Sequence, residues 1–543
     1  MAAKRCCRVA EALEGSGAEN LSTGDGLHIM KVGLEAWVSF QVRMSLLSGE
    51  SPEGHSAEGQ SLMQFNSYAF IFAFFPIFLL LYFTAGKRWN RQIIVAGGAA
   101  FYAFAGWENA LVLAASILII SAAAWKIARI EKETRKKALA VLCIVLHAGA
   151  LMFYKYWWVI PRLLPAGGSF LSNLVQPLGF SFFSFQQIMY ILALYRGEIT
   201  EYRPLDYLSY ILFFPKLVMG PLVEPGEIIS QFHDSRVCQW NWHNVATGLR
   251  VFSYGMFKKV ILADTFAGAV NLFFPNTPEV SSLELALMML CYTFQIYFDF
   301  SGYIDMAAGV SGMLNISLMI NFNSPYKSLS ISDFWKRWHI SLTRFFTRNI
   351  YIPLGGNQRG TARTYLNIVI VFLISGMWHG AHPNFILWGV LNGLLLVFER
   401  MFHRNDRKIP TALAWTGTFL IINVLWLLFR SGTISQWLQL LRGILSFRGA
   451  GLSTDLMDAF FLPEIMALLR FLGLEGIRQT MPWIPLAFFL TAAMVIVLLP
   501  GNNHETLRKK EPLSLGSALP AALVLIWSIL CLSTESVFIY VGF

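Results

Sequence analysis

Charged residues are scarce in this chain of 543 residues, because Asp, Glu, Lys and Arg together make up 14% of it. Soluble domains carry about 25% charged residues, so the shortage counts against a soluble protein. Apolar residues take their place: 55% of the chain is hydrophobic and 15% is aromatic. Many apolar runs are long enough to cross a hydrocarbon layer about 30 Å thick. The sequence therefore predicts an all-α, polytopic helical membrane protein.

Cysteine is also scarce, with six residues and no Cys-x-x-Cys pair. This counts against zinc, an iron–sulfur cluster and a disulfide framework, so we predict no bound metal. The chain also lacks Gly-x-Ser-x-Gly, the phosphate-binding loop, the dinucleotide motif and His-Glu-x-x-His, which leaves the common soluble catalytic signatures without support. The net charge is +10. An excess of Lys and Arg in cytoplasmic loops explains that charge without a nucleic-acid partner.

The chain divides into two parts by composition. Residues 1–62 are polar and rich in Gly, Ser and Glu, which predicts a disordered N-terminal extension or an upstream-start artefact with Met63 as the natural start. Residues 63–543 predict one membrane domain with about 11 to 13 membrane segments around a centre that includes re-entrant or interfacial helices. The apolar spans lie at 67–85, 92–107, 109–125, 138–160, 171–195, 206–223, 245–275, 283–314, 364–380, 384–402, 412–430, 484–500 and 517–536. The basic clusters at 86–91 and 126–137 should lie on the cytoplasmic face.

The segment "DFWKRWHISLTRFFTRNIYIPLGGNQRG", residues 333–360, is too basic to cross lipid as an ordinary helix. We predict an amphipathic helix that begins near Ser332 and lies at the membrane interface or dips into the protein. A turn should follow, with Gly355 and Gly356 at positive φ. One interpretation is a cytoplasmic loop that obeys the charge bias. The other is a basic, aromatic vestibule for an anionic thioester such as coenzyme A or a phosphopantetheine carrier. Its candidate binding residues are Lys336, Arg337, Arg344, Arg348, Trp335 and Trp338.

Two histidines, His379 and His382, interrupt the apolar run "ISGMWHGAHPNFILWG". An ionisable residue inside the membrane is a functional hypothesis by default. A neutral imidazole can take a proton from a hydroxyl and return one to a leaving thiolate, as acyl transfer from a thioester to an alcohol requires. His379 is the candidate base, His339 could orient the acceptor or stabilise the oxyanion, and His382 is expected to cap or line the cavity mouth. A structural hydrogen bond from His379 to a helix carbonyl is the alternative, and Pro383 argues against a metal site.

Two acidic residues in "YFDFSGYIDM", Asp299 and Asp305, are predicted to be buried carboxylates. They could pair with Arg or Lys of the basic segment. They could also carry protons in a proton-coupled transporter, which is the alternative function of a different class.

At the basic segment and the histidine run, the chain resembles the membrane-bound O-acyltransferase (MBOAT) family. It is most similar to the bacterial branch that O-acetylates alginate and other exported polysaccharides. Further stretches carry the resemblance, which covers nearly all of 63–543: "FNSYAFIFAFFPIFLLLYF", "GFSFFSFQQIMYILALYRGE", "FFPKLVMGPLVEPGEIISQF", "GMFKKVILAD", "FQIYFDFSGYIDMAAGVSGMLNI" and "FIYVGF". The resemblance implies that His379 is the catalytic histidine, that His339 is a second histidine at the active-site tunnel, and that the helices surround a central tunnel from the cytosol to the outer face.

The resemblance also implies substrates, partners and location. The donor would be acetyl-CoA or another acyl thioester, with no bound cofactor. The acceptor would be a hydroxyl of an exported cell-surface polysaccharide, reached directly or through a secreted or membrane-anchored partner acetyltransferase. The enzyme would be a multi-pass protein of the bacterial plasma (inner) membrane, in contact with the lipid bilayer and with no nucleic acid. D-alanyl transfer to teichoic acid from a carrier-protein thioester is the related alternative.

Overall fold

The computed structural model describes residues 63–157, 176–274, 280–402, 409–474, 476–498, 507, 514–532 and 538–539. The predicted extension, residues 1–62, lies outside the described residues. The described elements are helices, and no strand occurs among them. This confirms the all-α class.

The described residues of the first part of the chain, up to the long central helix, form eleven α-helices. They are α1 (Ala69–Thr84, with a π-helical first turn), α2 (Gly86–Ala103), α3 (Trp107–Ile127), α4 (Glu133–Tyr156), α5 (Phe180–Tyr195), α6 (Pro204–Leu212), α7 (Phe214–Leu217), α8 (Pro225–His233), α9 (Trp242–Met256), α10 (Asp264–Phe273) and α11 (Ser282–Met313). A π-helical segment, Phe257–Ala263, joins α9 to α10.

The second half supplies the elements around the candidate site. They are α12 (Ile331–Arg337), α13 (Ile340–Phe346), α14 (Thr361–His379), α15 (Pro383–Phe402), α16 (Thr411–Arg430), α17 (Ile434–Leu445), α18 (Thr454–Asp458), α19 (Pro463–Phe471), α20 (Ile477–Thr480), α21 (Ile484–Leu498) and α22 (Leu515–Leu530). Residues 461–482, with α19 and α20, belong to a small compact unit of their own, and the other described helices belong to the larger unit.

Six of the described helices are long and apolar enough to cross a membrane: α3, α4, α11, α14, α15 and α16. Four shorter apolar helices accompany them: α1, α5, α21 and α22. The protein is therefore a multi-pass membrane protein. The spanning helices differ in how much of their surface is buried: 72% of the most apolar window of α11 is buried, against 22% for α4 and for α15. Thus α11 is an interior helix, while α4 and α15 expose most of their surface to the surroundings.

The predicted span 206–223 is not a single helix. It is broken at Phe213, which has an extended backbone (φ −67°, ψ 94°) between α6 and α7. Pro215 lies in the first turn of α7, where the missing N–H of proline costs nothing. The predicted span 245–275, by contrast, is helical almost throughout, because the π-helical segment continues α9 into α10.

Glycine pairs bring α9 and α11 into close contact. A Cβ atom placed on Gly248 would lie 2.6 Å from the carbonyl oxygen of Gly309, and one on Gly255 would lie 2.8 Å from that of Gly302. Both pairs are seven residues apart on each helix, so they recur along one face. Small residues let helix backbones approach closely in membranes, and this contact fixes α11 at the centre of the larger unit.

The basic segment forms two short helices and a π-helical turn instead of one amphipathic helix. It begins at Ile331, one residue before the predicted start, because the side chain of Ser330 accepts the N–H of Asp333 as an N-cap. It is interrupted at His339, and its aromatic residues Phe334 and Trp338 are buried inside the protein. The turn that follows is confirmed: Gly355 has φ +104° and Gly356 has φ +53°.

Candidate active site

One cavity of about 700 Å³ lies between the basic segment and helices α14, α15 and α16. Both predicted catalytic histidines line it. The residues that line it are Ser330, Ser332, Asp333, Trp335, Lys336, Trp338, His339, Leu342, Thr343, Phe346, Thr347, Tyr351, Ile368, Val371, Phe372, Ser375, His379, Trp388, Leu396, Glu399, Arg400 and Trp426. Residues up to 96 positions apart in sequence, from Ser330 to Trp426, therefore meet around a single space.

His379 is the last residue of α14 and is 5% exposed. Its position depends on a close approach of α14 and α15, because a Cβ atom on Gly376 would lie 2.4 Å from the carbonyl oxygen of Phe385. The hydroxyl of Tyr156, at the end of α4, donates to the carbonyl oxygens of Met377 (3.1 Å) and Gly380 (3.2 Å). These bonds satisfy carbonyls that a helix end leaves unpaired and fix the turn that carries His379.

Aromatic rings surround the His379 imidazole. The ring centroid of Trp378 lies 4.6 Å away, that of Phe429 5.0 Å and that of Trp388 5.2 Å. Such a wall excludes water and fixes the ring in one orientation, which an acyl-transfer base needs. His382, three residues later, is exposed and is not among the described residues that line the cavity.

His339 separates α12 from α13 and has a left-handed backbone (φ +46°, ψ 52°). A non-glycine residue rarely adopts this conformation, which costs about 1 kcal/mol or more. Two backbone hydrogen bonds hold it: the N–H of Ile340 donates to the carbonyl of Asn321 (3.0 Å), and the N–H of Asn323 donates to that of Arg337 (2.9 Å). The segment 321–323 therefore braces the histidine on both sides.

The His339 side chain is 2% exposed, and the Phe300 ring packs against it edge-on at 4.9 Å. Its Nδ1 atom is hydrogen-bonded to Oδ1 of Asn321 (3.2 Å). Burial lowers the pKa of His339 to about 3, so the imidazole is neutral at physiological pH. Its Nε2 atom is buried and has no hydrogen-bond partner among the described residues. A buried polar atom in a cavity wall without a partner points to a ligand contact.

The six candidate donor-binding residues fall into two groups. Trp335, Lys336 and Trp338 line the cavity, and Trp335 is held there because its Nε1 donates to Oδ1 of Asn392 (3.1 Å). The three arginines are outside the described lining and are paired with carboxylates. The pairs are Arg337 with Asp333 (2.9 Å), Arg344 with Glu227 (2.5 Å), and Arg348 with Glu198 (2.5 Å) and Glu224 (3.0 Å).

The cavity also contains residues that sequence reasoning missed. Glu399 and Arg400, near the end of α15, join Asp333 and Lys336 of α12 as the charged side chains of the lining, and we call this part of the cavity its polar end. The Oε2 atom of Glu399 accepts the N–H of Ser332 (3.1 Å), which ties α15 to the start of α12. In the sequence, the signal that could have identified Glu399 and Arg400 was the presence of two charges near the end of an otherwise apolar span. Trp388 and Trp426 also line the cavity, and their buried indole N–H groups have no hydrogen-bond partner among the described residues.

Asp299 and Asp305 are buried, as predicted, but the lysines that pair with them lie outside the basic segment. Lys259 donates to Oδ1 of Asp299 (2.7 Å) and also contacts Asp264 (2.9 Å). Lys258 donates to Oδ2 of Asp305 (2.6 Å). The expectation that the basic segment supplies their partners is wrong, because the π-helical segment Phe257–Ala263 supplies both lysines and packs along α11.

The described residues contain no cluster of three or more His, Cys, Asp or Glu side chains that could hold a metal ion. The polar groups that line the cavity include two imidazoles, the indole N–H groups of Trp388 and Trp426, the hydroxyls of Ser375 and Tyr351, and the charged groups at its polar end.

The chain is similar to proteins that are named as acyltransferases. A Helicobacter pylori protein named peptidoglycan O-acetyltransferase is 33% identical over 521 residues, which cover 89% of this chain and 98% of that relative. A Pseudomonas aeruginosa protein named "probable alginate O-acetylase AlgI" is 34% identical over 71% of this chain and 75% of its own length. A Bacillus subtilis protein named teichoic acid D-alanyltransferase is 29% identical over 46% of this chain and 66% of its own length.

The model of the membrane-bound O-acyltransferase family matches residues 37–438, which include every residue that lines the cavity. This chain is an O-acyltransferase and belongs to the MBOAT family.

Proposed function

We propose that the protein transfers an acetyl group from a cytosolic thioester, acetyl-CoA or another acyl carrier, to a hydroxyl of a cell-surface glycan. The observation that carries the proposal is the single cavity lined by both His379 and His339. His379 would act as the general base. It takes the proton of the acceptor hydroxyl while the hydroxyl oxygen attacks the thioester carbonyl. It then returns the proton to the leaving thiolate when the tetrahedral intermediate collapses.

The length of the cavity supports a long, thin donor. Trp388 packs against His379, and Glu399 marks the polar end of the same cavity. Both residues are on α15, eleven residues apart, and a helix rises about 1.5 Å per residue. The cavity thus extends roughly 16 Å along α15 from the imidazole to its polar end. An acyl-pantetheine arm is elongated in this way, with its charged phosphates at the end opposite the thioester.

The positions of charge support entry of the donor from the cytosol. Arg400 is followed in the sequence by Arg404, Arg407 and Lys408, and the positive-inside rule predicts that such a basic stretch between apolar segments is cytoplasmic. The polar end of the cavity is therefore at the cytoplasmic side. His379 lies at the opposite end of α14, 19 residues or roughly 28 Å from its start. An acceptor could approach it from the outer side.

The remaining groups have roles that follow from their chemistry. Lys336 would bind a phosphate of the donor, and Trp335 and Trp338 would pack against its arm. The indole N–H groups of Trp388 and Trp426 are the available donors for the oxyanion. Arg337, Arg344 and Arg348 would act outside the cavity, where they could attract the anionic donor towards its entrance.

The similarity to relatives supports the class of acceptor. The relative named peptidoglycan O-acetyltransferase matches along 98% of its length, and the relatives named probable alginate O-acetylase also have a glycan in their names. These similarities support our proposal that the enzyme acts in the inner membrane of a bacterium. A secreted or membrane-anchored acetyltransferase could receive the acetyl group before the glycan does.

The experiment uses a host strain that lacks the gene, complemented with wild type, His379→Ala or His382→Ala at matched membrane levels. His382→Ala is the control, because that histidine is three residues away but exposed. Ester-linked acetate is measured separately in purified peptidoglycan and in soluble polysaccharide, and ester-linked D-alanine is measured in teichoic acid where the wall contains it.

The proposal predicts that ester-linked acetate disappears in the deletion strain. Wild type and His382→Ala should restore it, and His379→Ala should not. This result would support the proposal, and the fraction that loses acetate would identify the acceptor. Loss of D-alanine instead of acetate would replace it with the teichoic-acid reaction. Full acetate with His379→Ala would remove His379 from the chemistry.

A further inference from the structure

Asn321 lies 18 residues before His339, in the segment that braces it, and is fully buried. Its side-chain oxygen, Oδ1, faces three polar atoms at hydrogen-bond distance. They are the Nδ1 of His339 (3.2 Å), the backbone nitrogen of Ser341 (3.1 Å) and the Oγ of Ser341 (2.9 Å). None of these contacts was indicated by the sequence motifs.

The backbone nitrogen of Ser341 fixes the orientation of the Asn321 amide. A backbone N–H can only donate, so the Asn321 atom that faces it must be the oxygen and not the amide nitrogen. The same oxygen faces Nδ1 of His339, and two acceptors cannot form a hydrogen bond. Nδ1 must therefore carry a proton. A neutral imidazole has one ring proton, so Nε2 of His339 keeps an unprotonated lone pair.

This assignment decides between two roles for His339. A neutral histidine with its proton on Nδ1 cannot donate from Nε2 to an oxyanion, but Nε2 can accept a hydrogen bond from a hydroxyl. Nε2 is also the ring atom with no hydrogen-bond partner among the described residues. The strained backbone of His339 (φ +46°) and its two bracing hydrogen bonds keep the ring in this arrangement.

We infer that Asn321 is a positioning residue: it holds His339 in the Nδ1–H tautomer so that Nε2 accepts the hydrogen bond of the acceptor hydroxyl. The inference rests on the proposed function for the identity of that hydroxyl. Because Nε2 of His339 carries no proton, the oxyanion would be stabilised by other donors, such as the indole N–H groups of Trp388 and Trp426. No bond is made or broken at His339, which orients the hydroxyl while His379 removes its proton.

The tautomer can be measured in the wild-type protein without any substrate. The protein is produced with ¹⁵N-labelled histidine in lipid bilayers, and the ring-nitrogen signals of His339 are identified by their loss in His339→Gln. We expect the protonated-nitrogen signal on Nδ1 and the unprotonated signal on Nε2. A proton on Nε2 would overturn the inference whatever the enzyme acylates.

The consequence for catalysis is measured with Asn321→Ala, Asn321→Asp and Ser341→Ala. Permeabilised host cells complemented with each variant receive labelled acetyl-CoA over a range of concentrations, and label in the glycan is counted. Asn321→Ala removes the acceptor of the Nδ1 proton. We expect the maximal rate to fall about 10- to 100-fold, as when the partner that orients a working histidine is lost, with an unchanged KM for acetyl-CoA.

The other two variants separate positioning from a structural role. Asn321→Asp keeps an acceptor for all three donors, so it should restore most of the rate. Ser341→Ala removes one of the same hydrogen bonds but leaves the tautomer unchanged, so its rate should stay within about twofold of wild type, as expected for a single neutral hydrogen bond. The positioning role would be refuted if Asn321→Ala had the maximal rate of wild type. It would also be refuted if Asn321→Ala and Asn321→Asp lost the same fraction of the maximal rate when equal amounts of folded protein are compared. If wild type itself transferred no acetyl group, the proposed function would fail, and the tautomer measurement would still decide the assignment.

Discussion

Two groups of buried polar residues in this protein are organised in opposite ways. The first is the ion-pair cluster of Lys258, Lys259, Asp264, Asp299 and Asp305, in which each carboxylate has a lysine within 3.0 Å. The second is the cavity group of His339, Trp388 and Trp426, in which a ring nitrogen and two indole N–H groups lack hydrogen-bond partners among the described residues. Both are in the larger unit, and both are largely buried, although the Asp264 side chain is 28% exposed.

This difference distinguishes polar groups that stabilise the fold from polar groups that are available to a substrate. Buried charges must be paired, because a charge left alone in a medium of low dielectric costs several kcal/mol. Neutral groups such as an imidazole or an indole cost less when they lack a partner, about 1–3 kcal/mol each, so a protein can keep them unpaired for a substrate. The buried carboxylates Asp299 and Asp305 are therefore part of the framework, and the unpaired neutral groups of the cavity lie where a substrate could contact them. This is also why the transporter alternative has no support from Asp299 and Asp305.

The largest effect should come from breaking the paired cluster. Asp299→Ala removes one of the two carboxylates that contact Lys259, and we expect a loss of about 3–5 kcal/mol in the free energy of unfolding, with little protein in the membrane. Thermal unfolding of the detergent-solubilised protein measures this. The matched control is His379→Ala, which should lose acyl transfer and keep its Tm. A Tm of Asp299→Ala equal to wild type would contradict the division between the two groups.

A smaller effect should follow from removing the C-terminal tail. The backbone N–H of Ile539 donates to Oδ2 of Asp299 (2.8 Å), and the Phe538 ring lies 4.4 Å from the Lys259 ammonium group. A chain that ends at Val537 loses both contacts, and we expect it to lose about 1–3 kcal/mol of stability. The same unfolding assay tests this, with Phe538→Leu as a control that keeps the backbone donor and should lose less. Equal stability of the truncated and full chains would show that the tail contact is dispensable.

The smallest effect should be in the cavity, at its polar end. Lys336→Ala removes one cation that would bind the donor, so the KM for acetyl-CoA should rise about tenfold, equivalent to roughly 1.4 kcal/mol, with Tm and the maximal rate little changed. Lys336→Arg keeps the charge and should restore most of the affinity. A fall in the maximal rate with an unchanged KM would instead place Lys336 near the reacting atoms.

The sequence was sufficient to predict the class, the family, and His339 and His379 as candidate site residues, which the structure brings to one cavity, because hydropathy and short motifs are local. It was insufficient for the partners of those residues. Asn321 is 18 positions from His339, Asn392 is 57 from Trp335, and Lys259 is 40 from Asp299. Such contacts depend on how helices pack. The apolar run 206–223 was also misleading, since a break at one residue, Phe213, does not alter its hydropathy.

The ion-pair cluster has a consequence for how the chain is made. Lys258 and Lys259 leave the ribosome before Asp299 and Asp305, which belong to the next long helix, and a Lys or Asp at the centre of a lone helix costs about 2.5–3.5 kcal/mol to insert. Membrane insertion is therefore unfavourable for α9 with its π-helical segment alone and for α11 alone. We expect the translocon to release the two into the bilayer as a pre-paired hairpin, so the segment 242–273 alone should insert poorly and 242–313 should insert well in a glycosylation-tag assay. The same ion pairs that hold the finished enzyme together would then set the order in which its helices enter the membrane.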